Sequence, residues 1–76
     1  MELFHRLAEP GSAEARRLVV ALGLDGRVAF RNVDFPSHRD ALAARGGAAT
    51  PALWDGARLH EGPEAVREAL LALARG

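Results

Sequence analysis

Apolar positions along the first half of the chain predict a strand, a helix and a second strand. Residues 2–6 are apolar-rich and lead into 8–12, which contains proline and glycine, so a strand should run into a loop here. Over residues 13–22 apolar side chains recur at helical spacing on one face, and Gly23 is suited to end that helix. Residues 27–33 alternate between apolar and polar side chains, which predicts a second strand.

The middle of the chain predicts a second helix. Pro36 and Ser37 stand at its start. Asp40, three residues after Ser37, gives the spacing of a capping box, in which two side chains bond the first free N–H groups of a helix. The pair Gly46 and Gly47 predicts the end of this helix.

A β-hairpin and a third helix complete the pattern. Residues 51–54 and 57–60 predict two strands joined by a tight turn at Asp55-Gly56, because both turn residues tolerate the positive φ angles that such a turn demands. The last helix should begin at Pro63, where a missing N–H costs nothing, and continue almost to residue 76 with an apolar stripe on one face.

The predicted order is therefore β-α-β-α-β-β-α within one α/β domain that spans residues 1–76. Strands that alternate with helices imply a parallel crossover, and the hairpin adds antiparallel pairing. We expect a mixed four-stranded sheet with three helices packed on it.

Composition narrows the range of functions. The chain has 76 residues, 49% of them hydrophobic, and its ten basic residues balance ten acidic ones. This is the profile of a globular domain, and a formal net charge of zero gives no field that would attract nucleic acid or an anionic membrane. Since the chain shows neither a signal peptide nor a long apolar run, we expect a cytoplasmic protein.

The chain contains no cysteine. Disulfide bonds, thiolate zinc sites and thiol–disulfide exchange are therefore all excluded. The three histidines, His5, His38 and His60, are scattered without the spacing of a metal motif, so we expect no metal.

The order of the elements resembles the thioredoxin fold in its minimal, glutaredoxin-like form. The first strand leads into residues 7–12 as in the approach to a glutaredoxin Cys-Pro-x-Cys motif, with Glu9 and Ser12 at the positions of the two cysteines. Thr50 and Pro51 resemble the Thr/Val-Pro segment of these families, whose proline is cis. The resemblance covers the whole chain, but the redox function of the family is lost because it depends on a cysteine thiolate.

The hairpin carries a second resemblance. Residues 55–61 resemble the hairpin of glutathione-transferase N-terminal domains, with Gly62 in place of a serine. That resemblance implies that Glu61, and less directly Glu64, would meet the amino group of a γ-glutamyl ligand, while Arg6 would meet a carboxylate. The alternative is that these exposed charges are only solvated.

Together the resemblances imply a binding groove between Glu9 and Ser12 on one side and Thr50 and Pro51 on the other. In the family the residue before the cis-proline pairs its backbone with an extended peptide or with glutathione, which needs no cysteine. Structural alternatives stay open: Glu9 as an acid at a helix start, Ser12 as a helix cap, and Thr50-Pro51 as a turn.

The expected function is that of a binding module for an extended peptide, a partner protein or a small thiol such as glutathione, with no other cofactor. One alternative is an enzyme that resembles a glutathione-transferase domain and uses Ser12 to activate a bound thiol. It is weakened because these 76 residues do not include the all-helical domain that supplies the electrophile pocket in that family. A third alternative is a structural protein, in the form of a homodimer with no small-molecule ligand.

Overall fold

The computed structural model describes residues 1–76 and contains four strands and three helices in the order that the sequence predicts. The strands are β1 (Glu2–His5), β2 (Ala29–Asn32), β3 (Ala52–Trp54) and β4 (Leu59–Glu61). The helices are α1 (Pro10–Ala21), α2 (Pro36–Ala44) and α3 (Pro63–Arg75). None of these helices is both long enough and apolar enough to span a membrane.

The strands form one mixed sheet in the order β2-β1-β3-β4. β1 and β2 pair in parallel, with Leu3 opposite Phe30, whereas β3 is antiparallel to both β1 and β4. This is the topology of a minimal thioredoxin-like fold, so the predicted fold class is confirmed. β2 is shorter than the predicted 27–33, in part because the N–H of Val28 bonds the carbonyl of Leu24 in the preceding turn.

Side chains of β1 alternate between two hydrophobic cores, since successive residues of a strand point to opposite faces of a sheet. Leu3 packs with Val19 of α1 and Leu70 of α3, while Phe4 packs on the other face with Leu42 of α2. Full burial of a side chain of this size contributes roughly 1.5–3 kcal/mol. The molecule therefore has three layers, with α1 and α3 on one face of the sheet and α2 on the other.

Every helix begins with a proline at its first position, and no residue before these prolines makes a side-chain capping bond. Proline suits this position because its fixed φ is helical and its missing N–H would have no partner there. The apolar spacing that predicts this helix begins only at residue 13, whereas α1 begins at Pro10, in agreement with the interpretation of Glu9 as an acid at a helix start.

The capping box predicted at the start of α2 is wrong. Pro36 takes the first helical position and Phe35 is the N-cap, so Ser37 is already inside the helix. A capping box needs its hydroxyl at the N-cap. Ser37 and Asp40 are both exposed.

The hairpin turn also differs from the predicted two-residue turn. Residues 55–58 separate β3 from β4, and only Gly56 among them has a positive φ, of 101°. The side chain of Asp55 stabilises the turn instead, because its Oδ1 accepts hydrogen bonds from the N–H groups of Ala57 and Arg58 at 2.8 Å each. Asp55 therefore has no need of the left-handed conformation.

The chain segments that carry most of the candidate site residues gather at one end of the sheet, which we call the loop end. Because β1 and β2 are parallel and β3 is antiparallel to β1, the residues after β1, after β2 and before β3 all lie there. β4 also ends there, since Glu61 pairs with Ala52. All three helices therefore begin at the loop end, where the N–H of Gly62 donates to the carbonyl of Pro51 at 2.9 Å.

The far end of α2 is held at the opposite end of the sheet. The guanidinium of Arg45, directly after α2, lies 4.2 Å from the ring centroid of Trp54. The same side chain makes an ion pair of 3.3 Å with Glu2, the first residue of β1. α2 therefore runs from the loop end to the opposite end.

Gly47 lies at a point where the fold has no room for a side chain. An added Cβ would lie 2.6 Å from Cδ1 of Leu42, which is buried, and 2.5 Å from Cδ2 of Leu59. We expect Gly47→Ala to lower the free energy of unfolding by about 1–3 kcal/mol through overpacking, measured by urea denaturation. Gly26→Ala is the matched control, because nothing lies within 4 Å of its added Cβ. Equal effects of the two substitutions would contradict this account.

Candidate functional site

Thr50 and Pro51 pack against the start of α1 at the loop end. The peptide bond between them is cis, the isomer that the family resemblance implies. Pro51 is fully buried, and a Cβ added to Gly11 would lie 3.6 Å from Cδ of Pro51 and 3.2 Å from Cγ of Pro63. Glycine at position 11 thus lets the start of α1, the start of α3 and the segment before β3 meet at one point.

The carboxylate of Glu9 joins the two sides of the predicted groove. Glu9 is the N-cap residue of α1, but its side chain does not bond the free N–H groups of the helix. Its Oε1 instead accepts hydrogen bonds from the hydroxyl of Ser12, at 2.5 Å, and from the hydroxyl of Thr50, at 2.9 Å. The structure therefore brings Glu9, Ser12, Thr50 and Pro51 together.

Ser12 is buried in the first turn of α1 and is not the helix cap that the sequence left open as an alternative. Its Oγ accepts a hydrogen bond from the N–H of Arg6 at 3.1 Å and donates its proton to Glu9. The hydroxyl thereby provides a hydrogen-bond acceptor for the N–H of Arg6, which would otherwise be unpaired after the end of β1. A hydroxyl with its proton already donated inside the protein is poorly placed to activate a bound thiol.

The backbone of Thr50 has unused hydrogen-bonding capacity. Neither its N–H nor its carbonyl makes a hydrogen bond within the protein, although its side chain is bonded to Glu9. Thr50 is half-buried, and the next carbonyl, that of Pro51, is already bonded to Gly62. The N–H and the carbonyl of Thr50 are thus one unpaired donor and one unpaired acceptor beside the start of α1.

Glu61 holds the loop before Thr50 in place. Its Oε2 accepts hydrogen bonds from the N–H groups of Ala48 and Ala49, each at 3.0 Å. These two bonds, that of Ala49 foremost, lower the pKa of the Glu61 carboxyl because they stabilise its charged form. Glu61, predicted to contact a ligand, thus has a structural role within the protein, and its Oε1 makes no hydrogen bond.

The side chains of Arg6 and Glu64 lie apart from the cluster formed by Glu9, Ser12 and Thr50. The guanidinium of Arg6 pairs with the carboxylate of Asp34 at 3.0 Å on an exposed surface. Glu64 lies in the first turn of α3 and lines a cleft between α1 and α3. The side chains of these two residues make no hydrogen bond to Glu9, Ser12 or Thr50; Arg6 is linked to Ser12 only through its backbone N–H.

The sequence analysis does not identify Arg16, a residue of α1 whose side chain fixes the loop after β1 through hydrogen bonds. Its Nη1 donates to Nδ1 of the buried His5 at 2.9 Å and to the carbonyl of Arg6 at 3.1 Å. Because arginine only donates, Nδ1 of His5 must be the unprotonated nitrogen. Burial, and secondarily the charge of Arg16, lower the pKa of His5, so this histidine is neutral in the folded protein at neutral pH.

The side chains of Glu9, Ser12 and Thr50 fix the conformation of the loops around them and are not arranged for a covalent reaction. One carboxylate and two hydroxyls bond one another, and no base is left beside a free nucleophile among them. No group of three or more His, Asp or Glu side chains is placed to hold a metal ion.

No protein-family model, curated protein or solved structure matches this chain. The contacts of Glu9, Ser12 and Thr50 are therefore the basis on which a function can be proposed.

Ser12 should be worth far more to stability than an ordinary helical serine. Ser12→Ala leaves the N–H of Arg6 unpaired in a part-buried setting, so we expect the free energy of unfolding to fall by about 1–3 kcal/mol. Ser37→Ala, at an exposed position in α2, is the control and should change it by no more than ~0.5 kcal/mol. Urea denaturation followed by the fluorescence of Trp54 measures both. Equal values would refute the role given to Ser12.

His5 should make the fold less stable in mild acid. Its folded pKa lies below the ordinary 6.5, so as the pH falls through 6.5 the unfolded chain binds a proton before the folded chain does. The free energy of unfolding should therefore fall as the pH falls through this value. In His5→Asn, which keeps an oxygen acceptor for Arg16 but cannot titrate, the fall should be smaller. An equal fall in both proteins, measured by urea denaturation at each pH, would show that His5 does not contribute.

Proposed function

We propose that this chain is a cysteine-free, glutaredoxin-related binding module that takes an extended peptide along Thr50. The observation that carries the proposal is the unpaired N–H and carbonyl of Thr50, held in a half-buried loop at the loop end. An extended peptide can pair with such a donor and acceptor as an additional strand pairs with a sheet edge. Because Thr50 is only half-buried, a peptide can reach both groups and take the place of water on them.

The loop that carries Thr50 is held in place before any ligand arrives. Glu61 bonds two N–H groups on its N-terminal side, Glu9 bonds the Thr50 side chain, and the carbonyl of Pro51 accepts from Gly62. Fixing a binding loop in advance removes part of the ordering entropy that binding would otherwise cost. None of these bonds uses the backbone of Thr50.

Two exposed apolar side chains give the loop end surface for the side chains of a peptide. Leu7 is 65% exposed in the loop after β1, and Phe35 is 59% exposed in the loop after β2. Single exposed apolar residues are common, but these two follow neighbouring parallel strands and lie at the same end as Thr50. Apolar contacts beside a line of backbone bonds are how such peptide sites gain specificity.

The relation to glutaredoxins is proposed from the position of Glu9 and Ser12. They are the N-cap and third residues of α1, with a proline between them, as in Cys-Pro-x-Cys. In place of a reactive thiol, this chain has a carboxylate that bonds the opposite side of the groove. A site that once exchanged disulfides would thus have been turned into a fixed support for the peptide-pairing segment.

The transferase alternative is disfavoured by the surroundings of Ser12. An enzyme of that kind needs a hydroxyl that can donate to the sulfur of a bound thiol, whereas Ser12 is buried and donates to Glu9. Glutathione remains a ligand of the proposed class because it too presents an extended peptide backbone. Binding of glutathione through its backbone does not require the protein to catalyse a reaction.

The test is a selection of random peptides displayed on phage against the immobilised protein. A selected peptide is then titrated into ¹⁵N-labelled protein, and glutathione at millimolar concentration is titrated in a second sample. We expect the amide resonance of Thr50 to shift most and its exchange with solvent to slow by about tenfold or more, because its N–H becomes bonded. Failure to select any peptide, with no shift from glutathione, would overturn the proposal, as would shifts that cluster away from Thr50.

A pair of variants tests whether the fixed loop matters. Glu61→Ala removes the acceptor of two loop N–H groups, so we expect the dissociation constant of the selected peptide to rise by about tenfold. Glu68→Ala removes the same charge from an exposed position on α3 and should leave the constant unchanged. Equal constants in the two variants would show that the loop before Thr50 takes no part in binding.

A further inference from the structure

β2 is an edge strand, with β1 on one side and no strand on the other. The N–H of Ala29 bonds the carbonyl of Met1 at 2.9 Å, so the backbone groups of Ala29 face β1. Because these groups alternate in direction along a strand, those of Phe30 and Asn32 point away from β1. An open edge of this kind can pair with a further strand.

The open side of β2 carries two free donors and two free acceptors. The N–H and carbonyl of Phe30, the carbonyl of Val28 and the N–H of Asn32 make no hydrogen bond within the chain. Two other groups on this side are already used. The N–H of Val28 donates to the carbonyl of Leu24 at 3.0 Å, and the carbonyl of Asn32 accepts from the N–H of Phe35 at 3.2 Å. A turn thus bounds the open edge at each end.

This set of groups is complementary to itself. When two copies of β2 run antiparallel with Phe30 opposite Phe30, residue 28 of each copy lies opposite residue 32 of the other. The two Phe30 residues then exchange both of their hydrogen bonds, and the N–H of each Asn32 donates to the carbonyl of Val28 in the other copy. The donor and the acceptor that are already used also face each other in this register, so no free group is left without a partner.

The side chains of β2 suit the same register. Phe30 is 39% exposed, and its ring lies edge-on to that of His5, with the centroids 5.9 Å apart. Opposite its own copy, Phe30 covers this exposed surface in a cross-strand aromatic pair. Arg31 lies opposite Ala29 of the second copy and Arg27 lies opposite Val33, so no like charges face each other across the pair.

An exposed apolar side chain of α1 lies on the same side of the molecule. Leu18 lines the cleft between α1 and α3, and Val20 lies on the opposite side of α1, because successive residues of a helix turn by about 100°. α3 packs against β3 and β4, so the side of α1 that carries Val20 is the one nearer to β2. Val20 is 58% exposed and adds apolar surface beside the open edge.

We infer that this chain forms a two-fold homodimer in which β2 pairs with β2 of a second copy. Such an interface uses the same patch on both copies, and this one joins the two sheets into a single continuous sheet. A second copy is the occupant because it has its own used groups at the two positions where this edge has none to offer. Four backbone bonds and one aromatic pair make a small interface, so we expect a dissociation constant of roughly 100 µM.

The first test places charges at the two-fold axis. Phe30→Glu and Phe30→Lys should each raise the dissociation constant more than about tenfold, because like charges then face each other directly. An equimolar mixture of the two should dimerise again, because each glutamate then faces a lysine. The control Ala72→Glu makes the same change in net charge at an exposed position on α3 and should dimerise like the unmodified chain. Sedimentation equilibrium measures all of these, after circular dichroism has shown that each variant is folded.

The second test uses the unmodified chain alone and so does not depend on the folding of a variant. The amides of Phe30 and Asn32 should exchange with solvent about fivefold or more slowly at ~1 mM protein than at ~10 µM, because they are bonded only in the dimer. The inference is overturned if the unmodified chain stays monomeric up to ~1 mM, well above the expected constant. It is equally overturned if the dimer persists in the Phe30 variants, if their mixture stays monomeric, or if these two amides become protected only when a selected peptide is added.

Discussion

The arrangement at the loop end depends on one half-buried carboxylate, that of Glu9, which accepts hydrogen bonds from two hydroxyl groups. Glu9 bonds Ser12 three residues away and Thr50 forty-one residues away, and through Ser12 it is connected to the end of β1. A charged acceptor strengthens such bonds relative to neutral ones. Since stabilisation from disulfides or thiolate metal sites is excluded in a chain without cysteine, a bond that ties the first helix to the segment before β3 is unusually valuable in so small a domain.

Patterns with a local cause could be predicted from the sequence. The order of the seven elements, the start of α3 at Pro63 and the apolar stripe of α3 follow from periodicity and from the fixed φ of proline, which act over a few residues. The errors are local as well. The spacing of Ser37 and Asp40 predicts a capping box, but Pro36 takes the first helical position and leaves Ser37 inside α2.

The contacts that define the candidate site could only be expected through the family resemblance. Nothing in the spacing of Glu9 and Thr50 indicates that they bond, because the sheet order that brings them together is a property of the whole chain. The same holds for Arg16, whose reach to His5 depends on where α1 lies over β1, and for Glu61, whose partners are two backbone N–H groups without a side-chain signal. Side-chain chemistry shows what a residue can bond, while tertiary structure decides which partner it meets.

The common starting point of the three helices has an electrostatic consequence for the whole molecule. Each helix carries roughly half a positive charge at its N-terminus, and because all three begin at the loop end their dipoles add instead of cancelling. A negative charge is stabilised near such a terminus, and the carboxylates of Glu9, Glu61 and Glu64 all lie at the loop end. The three helix dipoles therefore oppose the repulsion among acids that are gathered in one small region. The parallel start of the helices thus lets a chain without net charge keep several carboxylates close together.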